Sequence, residues 1–201
     1  MTAEKYDKNM RPQEGAAEEL RWMSPREEPF RLAGFPWFGQ DDVYRRLPVN
    51  PKWPIPEAVD SLANCTAGGQ IQFQTDSPTV AVRVVLKAPA GMNHMPQTGQ
   101  CGFDCYIGPA RAQRFCSVAK FPYGAAEYEL PLYELAGGEM RNVTLNFPLY
   151  QGVNDVQVGV APDAQILPPP AYDDDRPIVV YGTSITQGGC AARPGMAYTN
   201  I

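Results

Sequence analysis

Val80-Ala-Val-Arg-Val-Val-Leu-Lys87 puts Val80, Val82, Val84 and Leu86 on one side of an extended chain and Ala81, Arg83, Val85 and Lys87 on the other. Successive side chains of a strand point to opposite faces, so this pattern predicts a half-buried β-strand. Ile71-Gln-Phe-Gln-Thr75 alternates in the same way just upstream. Phe103–Ile107, Arg114–Val118, Glu127–Leu130, Asn142–Phe147 and Val156–Val160 are further strand candidates. Turn formers separate them: Ser77-Pro78, Pro89–Gly91, Gly108-Pro109, Pro122–Gly124, Gly137-Gly138 and Gly152–Asp155. Short strands at roughly ten-residue spacing predict a mainly β fold, an antiparallel sandwich of jelly-roll-like kind over residues 29–166.

Composition agrees. Of 201 residues, 21 are proline and 18 glycine. Proline costs about 3 kcal/mol inside a helix, which excludes a helix bundle, a coiled coil and a helical repeat array. No apolar run reaches the roughly 18–20 residues of a membrane-spanning helix, so no membrane partner is expected. Seventeen basic residues face 22 acidic ones, and no Lys/Arg block is longer than Arg45-Arg46. Without a basic face to neutralise phosphates, nucleic acid is not an expected partner. Met1–Met10 is polar and lacks the apolar stretch of a secretory signal, which gives a cytoplasmic expectation. Five cysteines, Cys65, Cys101, Cys105, Cys116 and Cys190, make no paired framework and are read as reduced thiols. Cys101-x-x-x-Cys105 with the sole histidine, His94, falls short of a zinc ligand set, so no metal is expected.

The flanks differ from the middle. Residues 1–28 read as a charged arm in which Ala16–Trp22 forms a short helix stopped by Pro25 and Pro29, with Trp22 and Met23 packing down. Residues 167–176 read as a semi-rigid linker, held extended by Pro168–Pro170 and kept in water by Asp173–Asp175. Pro177-Ile-Val-Val-Tyr181 then gives a β-branched run without alternation, as in a parallel-sheet strand buried on both faces. Gly182-Thr-Ser-Ile-Thr-Gln-Gly-Gly189 follows, and a helix is expected after Pro194. Ser184 thus sits just past the end of a strand, where open α/β sheets place their active sites.

The stretch Ile178-Val-Val-Tyr-Gly-Thr-Ser-Ile-Thr-Gln-Gly-Gly-Cys-Ala-Ala-Arg-Pro-Gly195 resembles the first block of the SGNH (GDSL-type) hydrolases. The resemblance implies that Ser184 is the nucleophile, with its backbone N–H at the oxyanion hole and Gly182, Thr183 and Gly188 in the oxyanion loop. The usual Gly-Asp-Ser-Leu stands here as Gly182-Thr183-Ser184-Ile185, and one branch of the family is similar to this version. Gly102-Phe-Asp-Cys-Tyr106 resembles the Gly-x-Asp-Leu-Tyr signature of a β-sandwich domain that precedes such hydrolases, with Cys105 in place of leucine. Asp41–Pro48 and Phe147–Tyr150 are similar to other segments of that domain. Residues 177–201 are accordingly expected to be the first strand and loop of an α/β hydrolase domain. Ester hydrolysis through an acyl-serine is implied, on a carbohydrate or other small-molecule ester, with no organic cofactor.

A serine hydroxyl needs a general base and donors for the oxyanion. In relatives the base is a histidine in a late Asp-x-x-His block, and no histidine follows Ser184 in this chain. The 201 residues are therefore expected to be an incomplete and inactive portion. Plainer readings remain beside the sharp ones. Ser184 is otherwise a loop serine capping a turn. The loop lacks the Gly-Lys-Ser/Thr ending of a nucleotide-binding loop and the Gly-x-Ser-x-Gly elbow. His94, in the loop Gly91–Gly99, is either a structural loop histidine or a lining of the substrate cleft. Asp104 is either such a lining or an acid paired with arginine or capping a turn. Trp37, Phe38, Trp53 and Tyr106 read as core or interface aromatics rather than a sugar platform. The rival to catalysis is a sandwich that binds carbohydrate or docks another domain.

Overall fold

The computed structural model describes residues 19–174 and 176–200. Among the described residues ten strands follow one another as β1 (Arg21–Met23), β2 (Arg31–Ala33), β3 (Gln70–Thr75), β4 (Thr79–Leu86), β5 (Asp104–Ile107), β6 (Arg114–Val118), β7 (Glu127–Glu134), β8 (Arg141–Asn146), β9 (Val153–Val160) and β10 (Ile166–Leu167). All pairings are antiparallel. One sheet has the order β1-β9-β4-β7, and the other β10-β3-β8-β5-β6 with β2 also on β3. The short helices α1 (Phe38–Asp41), α2 (Glu57–Leu62), α3 (Gln97–Gln100) and α4 (Ser184–Gln187) lie outside the sheets.

The alternation seen in the sequence sets the two faces. Ile71, Phe73 and Thr75 of β3 are buried while Gln70, Gln72 and Gln74 point outward. On β4, Val80, Val82, Val84 and Leu86 are buried, and Arg83 is exposed. The core joins these to Phe103, Leu130, Leu132, Val143, Leu145, Phe147, Val156 and Val158 from both sheets. Phe73 lies edge-on to Phe30 at 5.2 Å, and Phe147 meets Phe103 at 4.7 Å and Phe35 at 5.0 Å. Each such side chain contributes about 1.5–3 kcal/mol by leaving water.

Several boundaries differ from the sequence reading, each for a local reason. The helix expected over Ala16–Trp22 is not formed at its described end: Arg21–Met23 pairs with Val158–Val160 of β9 instead. Trp22 lies opposite Gly159, whose missing side chain makes room for the indole, and Arg83 stacks on it at 4.3 Å. Residues 1–18 lie outside the described part. β7 runs past Leu130 through Pro131, which sits on an edge strand at a register shift opposite Ala81, where a proline is tolerated. The linker is not simply solvated. Leu167 is already in a strand, Pro168 O accepts from Gln74, and Pro170 O accepts from Arg31, whose guanidinium stacks 3.8 Å over Tyr172.

The C-terminal stretch departs most. Pro177–Tyr181 is not a buried strand. It pairs with no strand among the described residues, and Ile178 is 92% and Tyr181 85% exposed. A β-branched run carries the propensity for a central strand, but a strand is completed only by neighbours. The helix expected after Pro194 is two 3₁₀ turns, Pro194–Met196 and Tyr198–Asn200. Among the described residues, no helix is long and apolar enough to cross a membrane, and no group of His, Cys, Asp or Glu could hold a metal ion.

Phe73 has no exposed surface and is ringed by core side chains, so Phe73→Ala is expected to cost about 3–5 kcal/mol, read from urea unfolding. A cost below about 1 kcal/mol would contradict this packing.

Candidate active site

Ser184 opens a single helical turn. Thr183 is extended, Gln187 N–H donates to Thr183 O at 3.1 Å, and the turn ends at Gly188 in the left-handed region with φ of 94°. The carbonyl of Ser184 is fixed by Gly189 N–H at 2.7 Å and Tyr150 Oη–H at 3.1 Å. Its side chain is exposed, and its hydroxyl has no hydrogen-bond partner among the described residues. The serine is thus held by its backbone and presented by its side chain, as an attacking hydroxyl requires.

The glycines of the loop are needed by shape. A Cβ on Gly182 would overlap the side chain of Thr186, which would have to move. A Cβ on Gly188 would stand 2.9 Å from both Ala197 Cβ and Leu149 Cδ1, at a φ that other residues rarely adopt. Gly188 N–H donates to Ile185 O at 3.0 Å. That donor is used inside the turn, where Gly188 shapes the loop.

The rest of the segment is seated on one end of the sandwich. Met95, Leu149 and Ala197 form a small apolar cluster, with Tyr150 and Ala191 packed on it. Gln187 is buried; its Nε2 donates to Leu149 O at 3.0 Å, and its Oε1 accepts from Arg46 Nη2 at 3.0 Å. Thr98 Oγ1 donates to Ala192 O at 2.7 Å. The pairing of Gln187 with Arg46 escaped the sequence reading because the two lie 141 positions apart, in separate motifs.

Asp104 is fully buried. It pairs with Arg193 and holds the backbone of the turn at Gly195. Its Oδ1 accepts from Asn146 Nδ2 at 2.8 Å, and its Oδ2 accepts from Gly195 N–H at 2.7 Å and Arg193 Nη1 at 3.4 Å. Burial raises the carboxyl above the usual carboxylate range, against the lowering pull of Asn146, Gly195 and Arg193. Arg193 also hydrogen-bonds Tyr106 Oη and stacks 3.8 Å over Phe115. His94 is exposed and faces Asn93 Oδ1 at 3.3 Å through Nδ1. No hydrogen bond joins it to Ser184 among the described residues, while its neighbour Met95 packs under the serine segment.

Comparison with known proteins bears on both parts of the chain. Residues 20–166 match the family model described as GxDLY, the N-terminus of SGNH-hydrolase-type esterases. The chain belongs to that family. Residues 175–201 match the GDSL-like lipase/acylhydrolase family. Among solved structures, a candidate GDSL-like lipase from Bacteroides ovatus ATCC 8483 is 29% identical with a TM-score of 0.80, over 90% of this chain and 52% of that one. The salicylyl-acyltransferase SsfX3 of a tetracycline biosynthetic pathway is 16% identical with a TM-score of 0.52, over 76% of this chain and 42% of that one. A family two carbohydrate esterase from Cellvibrio japonicus is 12% identical with a TM-score of 0.50, over 85% of this chain and 41% of that one. The last two share the fold alone. This chain spans about half the length of the Bacteroides ovatus protein. No curated protein matches it.

Gly188→Ala tests the loop: strain and the two close contacts are expected to cost about 1–3 kcal/mol locally. Amide exchange of Gln187 and Gly189 should accelerate about tenfold or more while β3 and β8 stay protected; unchanged exchange would show that the seat tolerates a methyl group.

Proposed function

We propose that Ser184 is the nucleophile of a serine ester hydrolase that works through an acyl-serine. The observation that carries this reading is an exposed hydroxyl on a backbone-locked turn, within the segment that matches the GDSL-like acylhydrolases. The hydroxyl attacks the ester carbonyl, the alcohol leaves with a proton, and water later releases the acid. The N–H of Ser184, at the first position of α4, has no partner inside that turn and is the local candidate for stabilising the oxyanion. The substrate proposed is a small acyl group, such as acetyl, on a carbohydrate or another small molecule; its support is the family resemblance of the serine block.

The 201 residues supply the nucleophile without its base. His94 is the only imidazole, and its Nδ1 is turned to Asn93 rather than to the serine. A general base must stand within about 2.6–3.2 Å of the proton it takes, directly or through one water. In this reading the sandwich and serine segment are catalytically silent on their own.

Two preparations test this with p-nitrophenyl acetate. The 201-residue chain is expected to release p-nitrophenolate no faster than its Ser184→Ala variant. The chain expressed with any residues its gene encodes after Ile201 is expected to turn over, and Ser184→Ala to lower its kcat about a thousandfold or more. Turnover that survives Ser184→Ala in the longer preparation would remove Ser184 from the chemistry. Ser184-dependent turnover at enzyme rates by the 201 residues alone would show that the base lies within them.

A further inference from the structure

The outer face of the second sheet carries a hydrogen-bond chain that runs in one direction. Arg31 Nε donates to Gln72 Oε1 at 2.9 Å, and Gln72 Nε2 donates to Gln70 Oε1 at 2.8 Å. Gln70 Nε2 then donates to Asn146 Oδ1 at 2.9 Å, and Asn146 Nδ2 donates to Asp104 Oδ1 at 2.8 Å. Strand register dictates the route. Gln70 lies directly opposite Asn146, and Asn146 directly opposite Asp104, so three side chains share one rung across β3, β8 and β5. Each amide gives its NH₂ to the next and receives on its oxygen, from a guanidinium at one end to a carboxyl at the other. Bonds aligned this way polarise one another.

The chain ends with one carboxyl oxygen to spare. Oδ1 of Asp104 is taken by Asn146, and both partners of Oδ2 come from the serine segment: Gly195 N–H and Arg193 Nη1. A buried carboxyl oxygen left without donors would destabilise the fold. The surroundings fit this capture. A Cβ on Gly195 would overlap the ring of Tyr106, so glycine is required for the backbone N–H to reach the acid. Tyr106 and Phe115 hold the Arg193 guanidinium. Asp104 and Tyr106 belong to Gly102-Phe-Asp-Cys-Tyr106 of one matched family, and Arg193 and Gly195 to the other.

We propose that Asp104 is a positioning residue: it captures Gly195 and Arg193 for the sandwich and so fixes the loop that presents Ser184. The link to the serine runs through Ala197, which follows the captured turn and packs against Gly188 at the end of the Ser184 turn. The sandwich thereby serves as a dock for the nucleophile segment. The value of that position for chemistry rests on Ser184 as nucleophile; the capture itself does not.

The experiment is residue-resolved amide exchange by NMR on the ¹⁵N-labelled 201-residue chain, which needs no substrate. In the unsubstituted protein, Gly195 N–H is expected to exchange at least a hundredfold more slowly than in an unstructured peptide. Asp104→Asn keeps the volume and replaces an acceptor by a donor facing Gly195. It should speed Gly195 and Gly189 at least tenfold while Val82 and Leu145 keep their rates. Gln70→Ala, which touches neither Gly195 nor Arg193, should speed Gly195 about threefold by freeing Asn146. Fast exchange of Gly195 in the unsubstituted protein, exchange within twofold of it in Asp104→Asn, or a uniform rise that includes Val82 would each overturn the proposal. A clamp that passes while p-nitrophenyl acetate turnover proves independent of Ser184 would leave the dock standing and remove the catalytic reading alone.

Discussion

A carboxyl group with no surface of its own is the point on which the two parts of this molecule meet. Asp104 sits at the start of β5 with one oxygen facing the sandwich and the other facing the C-terminal segment. Neither side satisfies it alone. Because an unpaired polar atom is costly away from water, the sheet and the segment complete each other, and the contact has a defined geometry that an apolar patch would lack. The ion pair with the largely buried Arg193 adds charge, while the short bond from the Gly195 backbone adds direction.

The sandwich is built so that this acid is held firmly. Its inner faces are filled with Val, Leu, Ile and Phe, leaving the outer face of β3, β8 and β5 free for amides and the acid. The period-two alternation of β3 therefore does two tasks at once: Ile71 and Phe73 anchor the strand, and Gln70 and Gln72 order the surface network. A one-residue slip would exchange these roles and break both. The close seat of the serine segment uses the same economy of space, since Gly188 and Gly195 each stand where a methyl group would collide with the sandwich or its neighbour.

Much of the sandwich was legible in the sequence because local physics determines it. Alternating Val80–Leu86 and Ile71–Thr75 could be satisfied only by strands with one buried face, and the Pro/Gly turns marked their ends. What escaped depended on distant partners. The strand read as Glu127–Leu130 runs on through Pro131, which an edge position and a bulge accommodate. Trp22 looked helical by its neighbours, yet Gly159 offered it a place 137 positions away. Ile178–Tyr181 has the composition of a central strand, and composition cannot supply the strands beside it. Within the site, Ser184 and the loop glycines stood out because their pattern is local and dense. Arg193, Gln187 and Arg46 lie in the quoted motifs, but their partners are far along the chain, and Asp104 could be read as a partner for some arginine without showing which one.

The outer edge of β3 is shared: β2 covers Gln70–Gln72 and β10 covers Gln74-Thr75. Leu167, where the chain leaves this sheet, thus points toward Arg31, where it enters it, end to end along one edge. Joining Leu167 to Arg31 and opening the chain at the exposed Gly137-Gly138 turn would keep every rung of this sheet and give up only the β1–β9 pairing of the other, so the domain is topologically suited to circular permutation.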